Sequence, residues 1–176
     1  MSNQNYDLIK ERIASIKDYP EKGIIFRDIT PMLKDGRAFS TCIDGIAEWA
    51  DGRGADYIVS IEARGFIIGA ALAARLGLGF IPVRKKGKLP RKTVGKKYTI
   101  EYAEREMEMH EDAIEKGKRV LIVDDLLATG GTARAAAELV ESVGGKVAGI
   151  AFVVELTDLK GRDMIKQYDI FSLVKY

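Results

Sequence analysis

Residues 119–132, Arg-Val-Leu-Ile-Val-Asp-Asp-Leu-Leu-Ala-Thr-Gly-Gly-Thr, constrain this chain more than any other stretch. The apolar run from Val120 to Val123 reads as a buried strand, and it delivers two adjacent acids, Asp124 and Asp125. A turn rich in Gly and Thr follows, and then an Ala-rich helical pattern. In a parallel α/β sheet, ligands gather beyond the carboxyl ends of such strands. Ala128, Thr129, Gly130, Gly131 and Thr132 lead into a helix N-terminus, where backbone N–H groups and two hydroxyls favour a phosphate. The paired carboxylates suit the vicinal hydroxyls of a ribose, or Mg²⁺ held through water.

The surrounding pattern agrees with an α/β alternation. Strands are expected at Tyr57 to Ile61, Phe80 to Val83, Val147 to Val154 and Ile170 to Val174, with helices at Phe66 to Arg75 and beyond Gly131. Phe39, Ile43, Ile46, Ala47 and Ala50 line a further helix, closed by Asp51 and Gly52. At the start, Tyr6, Ile9, Ile13 and Ile16 recur at helical spacing, so a helix is expected to run until just before Pro20. A short β-prone segment spans Gly23 to Asp28, after which Thr30 offers a helix cap and Pro31 a first helical residue. Met107 to Glu115 reads as helix, and Thr157 to Ile165 as a loop with a short helix. With no repeat or low-complexity linker, residues 1–176 form one expected domain, with about 1–35 an N-terminal appendage and about 84–106 a lid.

Composition excludes more than it selects. Apolar residues at 47% and charged residues at 31% fit a globular chain rather than a disordered one. The longest apolar stretch, Gly65 to Ala74, lies between Arg64 and Arg75 and is too short to span a bilayer. One cysteine, Cys42, permits no internal disulfide or zinc-ligand spacing and is read as a buried apolar group in a reducing, cytoplasmic setting. A net charge of +2 gives no general pull toward nucleic acid, and none is expected as a partner; nor is a membrane.

Three loops should meet at one sheet edge because each follows a parallel strand. Glu62-Ala63-Arg64-Gly65 places a guanidinium on a loop entering a helix, a setting suited to polyphosphate. The run containing Arg84, Lys85, Lys86, Lys88, Arg91, Lys92, Lys96 and Lys97 has no acidic neighbour and reads as a lid over a multiply charged small molecule. The aromatic interleaving of single-strand binders is missing from it. With the residue 119–132 loop, these make a phosphate site at one end, a sugar between, and a second anionic site beyond.

Val120 to Thr132 resembles the phosphoribosyl pyrophosphate signature of the type I phosphoribosyltransferases. The segments GIIFRDITPMLKD, EARGFIIG, RKKGKLP, TIEY and VVELTDLKGR are similar, in order, to blocks of the adenine-using branch, from about Gly23 to Arg162. The resemblance implies an α/β fold of that type: a parallel sheet flanked by helices, an N-terminal base-binding hood and a long flexible lid. It implies transfer of phosphoribose from phosphoribosyl pyrophosphate to adenine, giving AMP and pyrophosphate with Mg²⁺, in a protein that is commonly a homodimer. Asp124 and Asp125 would then contact the ribose, and Ala128 to Thr132 the 5′-phosphate. Glu62, Ala63 and Arg64 would serve the pyrophosphate, with Arg84 and Lys88 from the same or the partner subunit, and a cis peptide is implied at Glu62-Ala63. Ile25, Phe26, Arg27 and Leu156 would surround the base, with Phe26 stacking on it. Glu101 would be the general acid/base, beside Arg64 as a catalytic group, and Tyr102 a lid-closure residue. No metal ligand is implied directly, since Mg²⁺ would travel with substrate and water. Two alternatives stay open: a transferase for another base such as hypoxanthine, xanthine or orotate, and a non-catalytic regulator built on the same fold.

Overall fold

A computed structural model describes residues 4–100 and 103–176. In chain order the elements are α1 (Gln4–Glu11), β1 (Ala14–Lys17), β2 (Ile25–Asp28), α2 (Thr30–Lys34), α3 (Gly36–Ala50), β3 (Tyr57–Ile61), α4 (Arg64–Leu76) and β4 (Gly79–Lys85). They continue with β5 (Thr93–Ile100), β6 (Ala103–His110), β7 (Arg119–Leu127), α5 (Gly131–Ser142), β8 (Lys146–Glu155), a 3₁₀ turn (Thr157–Leu159), α6 (Gly161–Met164) and β9 (Ile170–Lys175).

Seven strands form one sheet in the order β5-β6-β4-β3-β7-β8-β9. Strands β4, β3, β7, β8 and β9 are mutually parallel. The β5–β6 hairpin adds an antiparallel edge against β4. Strand β7 lies inside the sheet, and successive residues serve opposite layers: Leu121 and Val123 join one buried cluster with α3 and α4, while Val120 and Ile122 join the other with α5. This two-sided burial explains an apolar run without polar alternation. Cys42 is buried on α3, and burial pushes its thiol up to about 12.

Three expectations need correction. The opening helix stops at Glu11 rather than before Pro20, because Ala14–Lys17 pairs antiparallel with Ile25–Asp28 and leaves Ile16 exposed. Thr30 does not supply the cap of α2; the Asp28 carboxylate accepts from both the Thr30 N–H (2.9 Å) and its hydroxyl (2.8 Å). The segment around Met107 is strand, not helix. Glu and Met favour helix intrinsically, but pairing on both sides with β4 and β5 overrides that preference.

Candidate active site

Strand β7 runs on past Asp124 and Asp125 to Leu127, and both acids are buried. The Asp125 N–H donates to Asp124 Oδ1 at 2.9 Å. Burial chiefly, and then the neighbouring Asp125 charge, raise the Asp124 carboxyl well above the usual carboxylate range. Just beyond, Gly130 takes φ +86° at the N-cap of α5, and a Cβ there would stand 2.4 Å from the Gly161 carbonyl oxygen. No side chain caps this helix, and uncapped N–H groups at a helix start suit an anion.

The second loop faces the first. The Glu62-Ala63 peptide is cis, and α4 begins at Arg64. Arg64 Nε lies 2.5 Å from Asp125 Oδ2, joining the two loops directly. Gly65 is needed for this approach, because a Cβ would come within 2.6 Å of Asp124 Oδ1. Behind Arg64, Arg84 grips Glu62 with two nitrogens, Nη2 to Oε1 at 2.9 Å and Nε to Oε2 at 3.2 Å. The Lys85 N–H also donates to Glu62 Oε2, at 3.2 Å. Arg84 foremost holds the Glu62 carboxyl below its usual range.

These groups wall one cavity of about 520 Å³. Among the expected site residues, Glu62, Ala63, Arg64 and Arg84 line it from one side. Asp124, Asp125, Ala128, Thr129, Gly130 and Thr132 line it from the other. Gly131 is not on the wall; it is the first residue of α5. Lys88 is not on the wall either, and sits on the turn after β4 with its carbonyl accepting from Arg84 Nη1 at 3.0 Å.

None of the four residues expected around the base lines the cavity. The Arg64 guanidinium carbon lies 5.2 Å from the Phe26 ring centroid, and Tyr19 is edge-on to that ring. Arg27 stacks over Tyr176 at 3.8 Å and donates to the Ser15 hydroxyl, which ties the β1–β2 hairpin to the C-terminal strand. Ile25 is exposed. Leu156 packs on the core and its N–H donates to the Leu127 carbonyl at 2.9 Å. Glu101 and Tyr102 lie outside the described residues.

Tyr98 and Arg105 also line the cavity, although no motif marked them. They face each other across the β5–β6 register, so only the long-range pairing puts them there. Burial, foremost, raises the Tyr98 hydroxyl above its ordinary value. Among the described residues no group of three His, Cys, Asp or Glu side chains could hold a metal ion, and no helix is long and apolar enough to cross a membrane.

Two buried acids and an uncapped helix N-terminus, set against an Arg-bearing cis turn, share one cavity, an arrangement suited to a phosphorylated sugar. Residues 30–175 match the phosphoribosyl transferase domain, and the chain belongs to that family. Its similarity within the family is to the adenine phosphoribosyltransferases. The Lactobacillus gasseri adenine phosphoribosyltransferase is 55% identical over 167 residues, 95% of each chain. The crystal structure of the Thermoanaerobacter pseudethanolicus adenine phosphoribosyltransferase superposes with a TM-score of 0.95 at 54% identity, covering 97% of this chain and 99% of that one. The Saccharomyces cerevisiae adenine phosphoribosyltransferase, crystallised with an imino-altritol bisphosphate and adenine, matches with a TM-score of 0.92 at 38% identity, covering 98% and 99%.

Proposed function

We infer that the chain transfers phosphoribose from phosphoribosyl pyrophosphate to adenine, releasing AMP and pyrophosphate. The observation carrying this reading is the junction of Arg64 and Asp125, where a pyrophosphate-type loop meets a ribose-phosphate loop in one cavity. The 5′-phosphate rests on the loop 128–132, and Asp124 and Asp125 accept from the ribose hydroxyls. Glu62 and Arg84 shape the loop on which Arg64 meets the leaving group. Negative charge grows on the departing pyrophosphate while the anomeric carbon becomes cationic, so fixed cations accelerate the step by stabilising the leaving group. Phe26 supplies the stacking face for adenine, with Ile25, Arg27 and Leu156 around it. Glu101 is assigned proton transfer at the purine, and Tyr102 helps the lid exclude water from the cationic sugar.

Mg²⁺ is the proposed cofactor. Such an ion keeps several waters alongside substrate phosphates, and the adjacent Asp124 and Asp125 on the cavity wall suit contact with it through those waters. When bound it would offset pyrophosphate charge. A cytoplasmic homodimer acting in purine salvage is the proposed setting.

The test is a labelled-base assay with phosphoribosyl pyrophosphate and Mg²⁺, comparing adenine with guanine, hypoxanthine and xanthine. AMP formation from adenine far above the other products is expected; absence of AMP defeats the assignment.

A further inference from the structure

The turn after β4 and the β5–β6 hairpin are joined by a buried carboxylate that the reaction above does not use. Glu108 on β6 is 6% exposed. Its Oε1 accepts from the backbone N–H groups of Lys88 and Leu89, each at 3.0 Å, and its Oε2 from the Thr93 hydroxyl at 3.2 Å. Burial opposes its charge, but the N–H groups of Leu89, Gly87 and Lys88, with the Thr93 hydroxyl, outweigh that and hold the carboxyl below its usual range.

Lys88 is thereby fixed at both backbone poles. Glu108 holds its N–H, and Arg84 Nη1 holds its carbonyl at 3.0 Å. Arg84 and Glu108 are directly opposite in the β4–β6 register, and Arg84 is itself clamped by Glu62. Two carboxylates therefore preset two cations. Glu62 orients the Arg84 side chain, and Glu108 orients the backbone from which the Lys88 side chain projects. Hydrogen bonds to an ionised acceptor are roughly twice as strong as neutral ones. A turn already ordered in the free protein also loses less entropy when a ligand binds.

We propose that Glu108 is a positioning residue for the pyrophosphate side of the reaction, acting through Lys88. This rests on the proposed transfer reaction and on the role that the family resemblance implies for Lys88 at the pyrophosphate. Glu108 touches no substrate; it sets where the Lys88 ammonium starts from when phosphoribosyl pyrophosphate arrives.

The test is Glu108→Gln, which keeps a carbonyl oxygen for the two N–H donors and an amide for the Thr93 hydroxyl while removing the charge. The Kd for phosphoribosyl pyrophosphate is expected to rise about fivefold, with the KM for adenine at saturating phosphoribosyl pyrophosphate unchanged. Lys88→Ala should raise the same Kd, and Glu108→Gln added to Lys88→Ala should raise it less than about twofold further, because the two act as one unit. A full Glu108→Gln effect in the Lys88→Ala background, or an equal loss for adenine, overturns the proposal. If Lys88→Ala weakens binding and Glu108→Gln does not, the Glu108 inference alone falls. If Lys88→Ala is itself without effect, the role of Lys88 falls, and this proposal with it. Should Glu108→Gln fail to fold, Glu108→Asp, which keeps the charge but withdraws both oxygens by one methylene, carries the same expectations.

Discussion

Arg64 Nε lies 2.5 Å from Asp125 Oδ2 while the same guanidinium sits 5.2 Å from the centre of the Phe26 ring. One side chain thus spans Asp125 on β7 and the β1–β2 hairpin. It starts the helix that follows the cis turn, so its backbone position is fixed by α4. A planar, always-charged fork can hold a carboxylate, a phosphate and an aromatic face in turn, which an ammonium on a flexible stem does not.

Arg64→Ala is therefore expected to lower kcat/KM for phosphoribosyl pyrophosphate by about 10²-fold, the scale of losing one preorganised donor to a developing anion. Arg64→Lys should recover only a minor part of this. Steady-state kinetics on both variants check it; a lysine variant close to wild type removes the argument from geometry.

The Asp124 carboxyl, raised by burial and by Asp125, has the opposite sign from a stabilising acid. With the folded value above the unfolded one, the native state binds the extra proton, so stability falls as pH rises between the two values. Keeping Asp124 charged in its buried place thus costs the fold stability as pH rises. Asp124→Asn keeps an oxygen for the Asp125 N–H but removes the buried charge. It should raise Tm, by roughly 2–4 °C for each kcal/mol recovered in a chain of this size, while weakening phosphoribosyl pyrophosphate binding. Thermal melts and calorimetry read the two effects separately. A lower Tm with unchanged affinity contradicts both halves.

What could be read from the sequence was whatever local pattern determines. The strand-acid-loop-helix unit at residues 119–132 and the turn at 62–65 announce themselves within a dozen residues, and the structure builds one cavity from them. Met107 and Met109 were misread because their neighbours are helix formers, whereas their burial follows from strands far away in sequence. Tyr98 and Arg105 were missed for the same reason: their partnership exists only in the antiparallel register of β5 and β6. Ile16 shows the limit of periodicity, since one hairpin partner outweighed a helical repeat. The residues expected around the base lie off the cavity wall, and Phe26 meets the site at the Arg64 guanidinium.

Glu101→Ala should leave phosphoribosyl pyrophosphate binding intact and reduce kcat by about 10²–10⁴-fold, the usual range for a proton-transfer group. Single-turnover kinetics with adenine, alongside an equilibrium Kd, separate the two quantities. Turnover equal to wild type rules out the assigned role.

Glu155 and Arg162 form an ion pair directly beside Leu156, a residue expected around the base. Glu155 is buried, and accepts from Arg162 Nε at 2.6 Å and Nη2 at 2.8 Å; Arg162 Nη1 also donates to the Ile170 carbonyl at 3.1 Å. Leu156, the next residue, inherits its position from this clamp. Burial opposes the Glu155 charge, but Arg162 and then Ser172 more than offset it, so the carboxyl stays below its usual range. A lowered folded value means the pair's contribution is complete above the ordinary carboxylate range and is lost as pH falls through the folded value. Arg162→Ala, which leaves the buried carboxylate unpaired, should cost about 3 kcal/mol at neutral pH. That corresponds to a Tm lower by roughly 6–12 °C. Because burial without Arg162 raises the Glu155 carboxyl above its ordinary range, the deficit relative to wild type should begin to shrink while pH is still above about 4, and shrink further below it as wild type loses the pair. Melts of both proteins from neutral to acidic pH measure this. A deficit that stays constant across that range means the pair does not carry the stability assigned to it.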